Sequence, residues 1–221
     1  MDDEVGRVLQ ALEEKKITDN TMIIFLSDHG DMLGDHGLLV KGAYFYEACS
    51  KVPLIISQPG NVAAGVRSTA LVQPHDIAAT VLSAAGMAKE EIQKLMPDSA
   101  DIRTAYTDCH ETAVCAYRET GISKTGKYFS PAINATMITD GHYKLNIYHS
   151  NGYDDSIVEG QLFNLQEDPR EQQDLFSEYP PARKHLEEKM LTWFAYNDIN
   201  SPRRAVSAVP GYDALFDNTI K

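Results

Sequence analysis

The densest chemistry in this chain lies in residues 27–37, SDHGDMLGDHG, where three aspartates and two histidines are interleaved with three glycines. Asp28 and His29 are adjacent, and a carboxylate beside an imidazole is half a shell for a divalent cation. Gly30, Gly34 and Gly37 allow the tight backbone path that lets both side chains turn toward one point. The same composition also describes an Asp- and Gly-rich surface turn, so on residue types alone both readings stand. The following run, LLVKGAYFYEACSKVPLII, sets Lys41 among apolar and aromatic residues. A lysine there could hold an anionic group, or simply reach out of an apolar patch to water. His75 reads as structural beside the helix cap expected at Asp76, and His110, His142, His149 and His185 share no ligand spacing.

These residues need a scaffold, and the flanking segments supply an α/β one. The start, DDEVGRVLQALEEKK, carries Val5, Val8, Leu9 and Leu12 at helical spacing. After a turn, TMIIFLS is a continuous apolar run of strand length, the pattern of a strand buried on both faces, and it ends where Asp28 begins. In α/β sheets ligands bind beyond the carboxyl ends of strands, which suits the position of Asp28 and His29. A second strand, VPLIIS, is expected at 52–57, a short extended piece at 68–73, and then a helix, DIAATVLSAAGM, capped by Asp76.

From residue 101 the texture becomes alternating and β-branched, with strands expected at 112–119, 134–140, 143–149 and 159–165 as a small antiparallel sheet. Pro180–Pro181 then opens a helix whose apolar face is Leu186, Met190, Trp193 and Phe194. The expected organisation is an α/β core over 1–100, an α+β subdomain of antiparallel sheet and packing helix over 101–200, and an extended tail over 201–221.

The 221 residues carry 20 Lys and Arg against 32 Asp and Glu, a formal charge of −12. Such acidity, without a basic stripe, argues against nucleic acid as a partner. No apolar run approaches the roughly 18 residues of a membrane-spanning helix, so no membrane partner is expected. Cys49, Cys109 and Cys115 show no zinc spacing; Cys49, just before a strand, suits a small apolar role, and a Cys109–Cys115 bridge is open.

Strand, SDHG, GDHG, twelve residues from His29 to Lys41, then VPLII, closely resembles the metal and substrate segment of the sulfatase family in the alkaline-phosphatase-like superfamily. VQPHDIAATVLSAAGM, GHYKLNIYH and GQLFNLQEDPREQQDL extend the resemblance to about residue 195, with Phe163 and Asn164 where the family pattern has Tyr and Asp. The resemblance implies the later part of an alkaline-phosphatase-like sheet with helices plus the small C-terminal α+β subdomain. It implies that Asp28 and His29 ligate a divalent cation, calcium first, with manganese, magnesium or zinc as alternatives. It implies that Lys41 contacts the sulfate group or the leaving oxygen, as a substrate-binding and catalytic residue. Asp35 and His36 are then loop-shaping or outer residues, and Asp31 a turn residue.

The family's formylglycine arises from a C-x-P-x-R-like segment, and none of the three cysteines lies in one. The chain is therefore expected to be a C-terminal portion of a sulfuric ester hydrolase, without turnover alone, its formylglycine belonging to an N-terminal half. Alternatives are a phosphonate or phosphate ester hydrolase of the same superfamily, and a non-catalytic module that self-associates through an exposed sheet edge or binds a partner. Substrate and compartment stay open.

Overall fold

The computed structural model describes residues 1–104, 109–118, 134–149 and 159–200. The chain divides into two compact units, Met1–Glu178 and Tyr179 onward. In the first, helix α1 (Asp2–Glu14) places Asp2, Asp3 and Glu4 in its first turn, where they complement the positive end of the helix. None of its residues is buried. Strand β1 (Ile23–Leu26) pairs antiparallel with β2 (Leu54–Ser57), Ile24 opposite Ile56 and Leu26 opposite Leu54. Helices α2 (Glu47–Ser50), α3 (Asp76–Ala84) and α4 (Lys89–Leu95) complete this part.

Three expectations need correction here. β1 and β2 are not covered on both faces: Leu26 and Ile55 stand exposed, because each strand has one neighbour in a two-stranded sheet. Asp76 is not the cap of α3 but its first helical residue, preceded by His75, and its carboxylate instead accepts the backbone N–H groups of Gln73 and Ala100. The piece at 68–73 forms only an isolated bridge, Leu71 to His110. Helix α4 has too short an apolar pattern to have been singled out.

The four expected strands are present as β3 (Ala113–Arg118), β4 (Asn134–Thr139), β5 (Tyr143–His149) and β6 (Glu159–Asn164), antiparallel in sequential order. Register follows the side-chain alternation: Val114, Ile138, Leu145 and Leu162 lie directly opposite one another on one face. The other face carries Lys144, Met137 and Ala135, and against it packs Phe45, from the segment that follows Lys41. The β4–β5 turn needs Gly141, at φ 86°, while Asp140 accepts the N–H groups of His142 and Tyr143.

In the second unit, α5 (Pro181–Asn200) buries Leu186 and Met190, and Trp193 meets Phe194 edge-on with ring centroids 5.2 Å apart. This is the apolar face read from the sequence. The expected tail, 201–221, lies outside the described residues. No helix among the described residues is long and apolar enough to cross a membrane.

Candidate active site

Asp28, His29 and Lys41 meet at the carboxyl end of β1. The His29 ring lies 3.4 Å from the Asp28 carboxylate through Nε2 and Oδ2, and Lys41 Nζ donates to the same Nε2. His29 Nδ1 is 2.9 Å from the carbonyl of Gly30. Because an ammonium can only donate, Nε2 is the accepting nitrogen and Nδ1 carries the proton to that carbonyl. In that tautomer the Nε2 lone pair accepts from Lys41, with the Asp28 carboxylate beside it. The His29 amide, 3.0 Å from Asp28 Oδ1, holds the Asp28 carboxyl below its usual range. Asp28 is exposed to solvent and ionised, so a carboxylate oxygen and an imidazole nitrogen are presented side by side.

Asp31 accepts the Lys41 backbone N–H at 2.8 Å, closing the ten-residue excursion so that the lysine returns to the histidine. Its role is therefore to close the loop, as its assignment to a turn anticipated. Met32 is buried and anchors the excursion from beneath. His36 adopts φ 49°, stacks on Tyr46 with centroids 3.8 Å apart, and reaches the Arg170 carbonyl at 3.1 Å. A non-glycine residue at positive φ is a local cost that such contacts must offset.

The support beneath these residues comes from far along the chain. Gly30 donates to the Cys49 carbonyl, and a Cβ there would lie 1.9 Å from the Ala48 oxygen, so only glycine admits the approach of α2. Lys144 of β5 is fully buried, and its ammonium lies 2.6 Å from Glu47, 2.9 Å from Glu171 and 3.0 Å from the Phe45 carbonyl. Glu171 also accepts the Glu47 amide at 2.6 Å. Burial would raise the Glu47 carboxyl, but Lys144 and Lys51 outweigh it and hold it below its ordinary value. Gln161 of β6 donates to the Tyr46 hydroxyl at 2.9 Å. The sequence showed Lys144 and Glu171 only as parts of a family signature; nothing in local spacing says that they meet Glu47. Cys49 is buried as an apolar residue, its thiol pushed up by burial and then by Asp31, and all three cysteines are free, so no Cys109–Cys115 bridge exists.

A second cluster went unread in the sequence. His75, Asp76 and His110 present ligand atoms within 4.8 Å of one another. The isolated bridge to Leu71, which brings His110 across from a distant segment, is invisible to spacing arguments.

A sulfatase family profile matches residues 1–87. N-acetylglucosamine-6-O-sulfatase of Bacteroides thetaiotaomicron is 30% identical over 224 residues, covering 99% of this chain and 38% of that protein. A solved structure in complex with its substrate D-glucosamine-2-N,6-O-disulfate superposes with a TM-score of 0.71 at 27% identity, over 91% of this chain and 39% of its own. The phosphonate monoester hydrolase of Agrobacterium radiobacter has a TM-score of 0.63 at 26% identity, over 88% of this chain and 39% of its own. The chain thus spans about two fifths of the length of these relatives. Motif, strand-end geometry, family profile and shared architecture converge: the chain belongs to the sulfatase family and has its alkaline-phosphatase-like fold.

Proposed function

We propose that this chain is the C-terminal portion of a sulfuric ester hydrolase, contributing Asp28, His29 and Lys41 to a site completed by residues outside these 221. The observation that carries this reading is the convergence of one carboxylate, one imidazole and one ammonium at the end of β1. The donor set fits part of a divalent-metal shell: Asp28 Oδ2 and His29 Nε2, 3.4 Å apart, would be the ligands. A calcium ion wants six to eight oxygens, so two side chains hold it weakly, and manganese or zinc suits the imidazole better. When bound, such an ion neutralises charge that develops on the transferring sulfuryl group and its attacking oxygen. Lys41 binds a non-bridging sulfate oxygen, or the leaving oxygen, and stabilises the charge that grows there as the ester bond breaks. His29 Nε2 would give an ion the lone pair that otherwise accepts from Lys41, which would leave the Lys41 ammonium to the sulfate oxygens. Formylglycine, the family's nucleophile, would come from the part of the protein outside this chain, so the chain alone hydrolyses no ester.

A phosphonate or phosphate ester is the second reading, favoured by the structural likeness to the phosphonate monoester hydrolase. Both ester classes place a tetrahedral anion on the same cation and ammonium. The deciding experiment assays the longer protein with matched aryl sulfate and aryl phosphonate esters, alongside Asp28→Asn and Lys41→Ala. Sulfate kcat/KM exceeding phosphonate kcat/KM, and lost by at least a hundredfold in both variants, is expected. Full activity in either variant, or metal-dependent turnover by the 221 residues alone, refutes the assignment.

A further inference from the structure

We infer a second metal site, separate in its residues from Asp28 and His29, formed by His75, Asp76 and His110 and suited to Zn2+ or a similar transition ion. Asp76 is fully buried, and among the described residues the cationic partners set against its carboxylate are histidines. His110 Nε2 lies 2.9 Å from both oxygens, and His75 Nε2 lies 3.7 Å from Oδ1. The carboxylate is held by these imidazoles and by the Gln73 and Ala100 amides. Buried charges are otherwise paired or coordinate a metal. Two imidazole nitrogens and one carboxylate oxygen within 4.8 Å are the three-protein-ligand set of an open zinc site.

The surroundings supply further donors. The Asp98 carbonyl lies 3.0 Å from His75 Nε2, and the Asp76 oxygens already accept the Gln73 and Ala100 amides, which fix the carboxylate plane. The first turn of α3 opposes a cation with about half a unit of charge, which the full charge of Asp76 outweighs. Loading has a cost: His110 gives up the proton that it donates to Asp76, and His75 gives up the one directed at Asp98. The 3.3 Å contact from the Gln73 amide to His75 Nδ1 must turn over as that nitrogen takes the proton. Affinity should therefore fall as pH falls, since protons compete for both rings.

The test is a Zn2+ titration of the tag-free chain against a chromogenic chelator, with side-chain NMR of the histidine rings. His75, half-exposed at the surface, gives the variant His75→Ala with the fold intact; His110→Gln and Asp28→Asn complete the set. Binding that weakens at least tenfold in His75→Ala and His110→Gln, persists in Asp28→Asn, and shifts the His75 and His110 ring signals is the expected result. No Zn2+ binding, or binding unchanged in His75→Ala, or binding lost only in Asp28→Asn, overturns the site. None of these outcomes touches the sulfate assay, so this inference and the functional reading fail separately.

Discussion

Replacing Lys144 with methionine removes the ammonium that lies between Glu47 and Glu171. Methionine keeps most of the apolar stem, so the change is nearly one of charge alone. Glu171 is 3% exposed and cannot recruit water, whereas Glu47 is part-exposed and retains Lys51 at 3.1 Å. The burden therefore falls on Glu171, facing a second carboxylate without its cation. Breaking a buried pair from one side costs roughly 3–5 kcal/mol, and for a protein of this size that corresponds to a fall in Tm of roughly 6–20 °C. The loss should depend on pH with a definite sign. Glu47 is held below its ordinary value, so its contribution is present above about pH 4.3 and disappears as pH falls through its folded value. Lys144→Met removes that contribution, so the gap between wild type and variant narrows from pH 7 to pH 4. Thermal unfolding followed by circular dichroism at both pH values reads the result, with the double variant Lys144→Met/Glu171→Leu recovering part of the loss. A fall below about 2 °C at pH 7, on the same conversion, or a gap that widens in acid, would falsify the account of this triad.

Two other expectations follow from close contacts and burial. Gly30→Ala drives a Cβ into the Ala48 carbonyl oxygen, and displacement of α2 should cost about 1–3 kcal/mol in urea unfolding and weaken Ca2+ or Mn2+ binding; an unchanged midpoint would refute the tight approach. The Cys109 thiol is pushed up to about 11, by burial first and then by Asp76, so its alkylation should be far slower than that of an unfolded-chain cysteine at pH 8 and should rise with each pH step up to that value; alkylation at the unfolded rate at pH 8 sinks this reading.

The pieces legible in the sequence are those in which local pattern and fold agree. The β3–β6 strands alternate cleanly, and α5 shows its apolar face in Leu186 and Met190, so both were read from residue type. Asp28, His29 and Lys41 were grouped through the family resemblance of their segment, not by residue type alone, and the structure sets their side chains against one another. The coverage of β1 was misread, because a continuous apolar run states that a strand can be buried, not what lies against it. Asp76 was misplaced by one position, since an aspartate at a helix start satisfies amides equally well from inside the first turn. Lys144 with Glu47 and Glu171, and His110 with Asp76, join segments that no periodicity links; only the folded chain brings them together.

The loop that carries Asp28 through Lys41 meets the Arg170 carbonyl through His36 and leans through Gly30 on the 45–50 segment, which is itself seated on Lys144 of β5, Gln161 of β6 and Glu171. This has a bearing on recombination between related enzymes. A chimaera that exchanges the 27–41 loop by itself inherits its ligands without their seat, and one that exchanges the antiparallel sheet by itself changes the seat beneath an untouched loop. Crossover points that keep residues 27–50 with the β5–β6 pair and the turn to Glu171 move a complete inherited block. Substitutions in that distant turn should accordingly surface in directed-evolution screens as changes of ligand affinity.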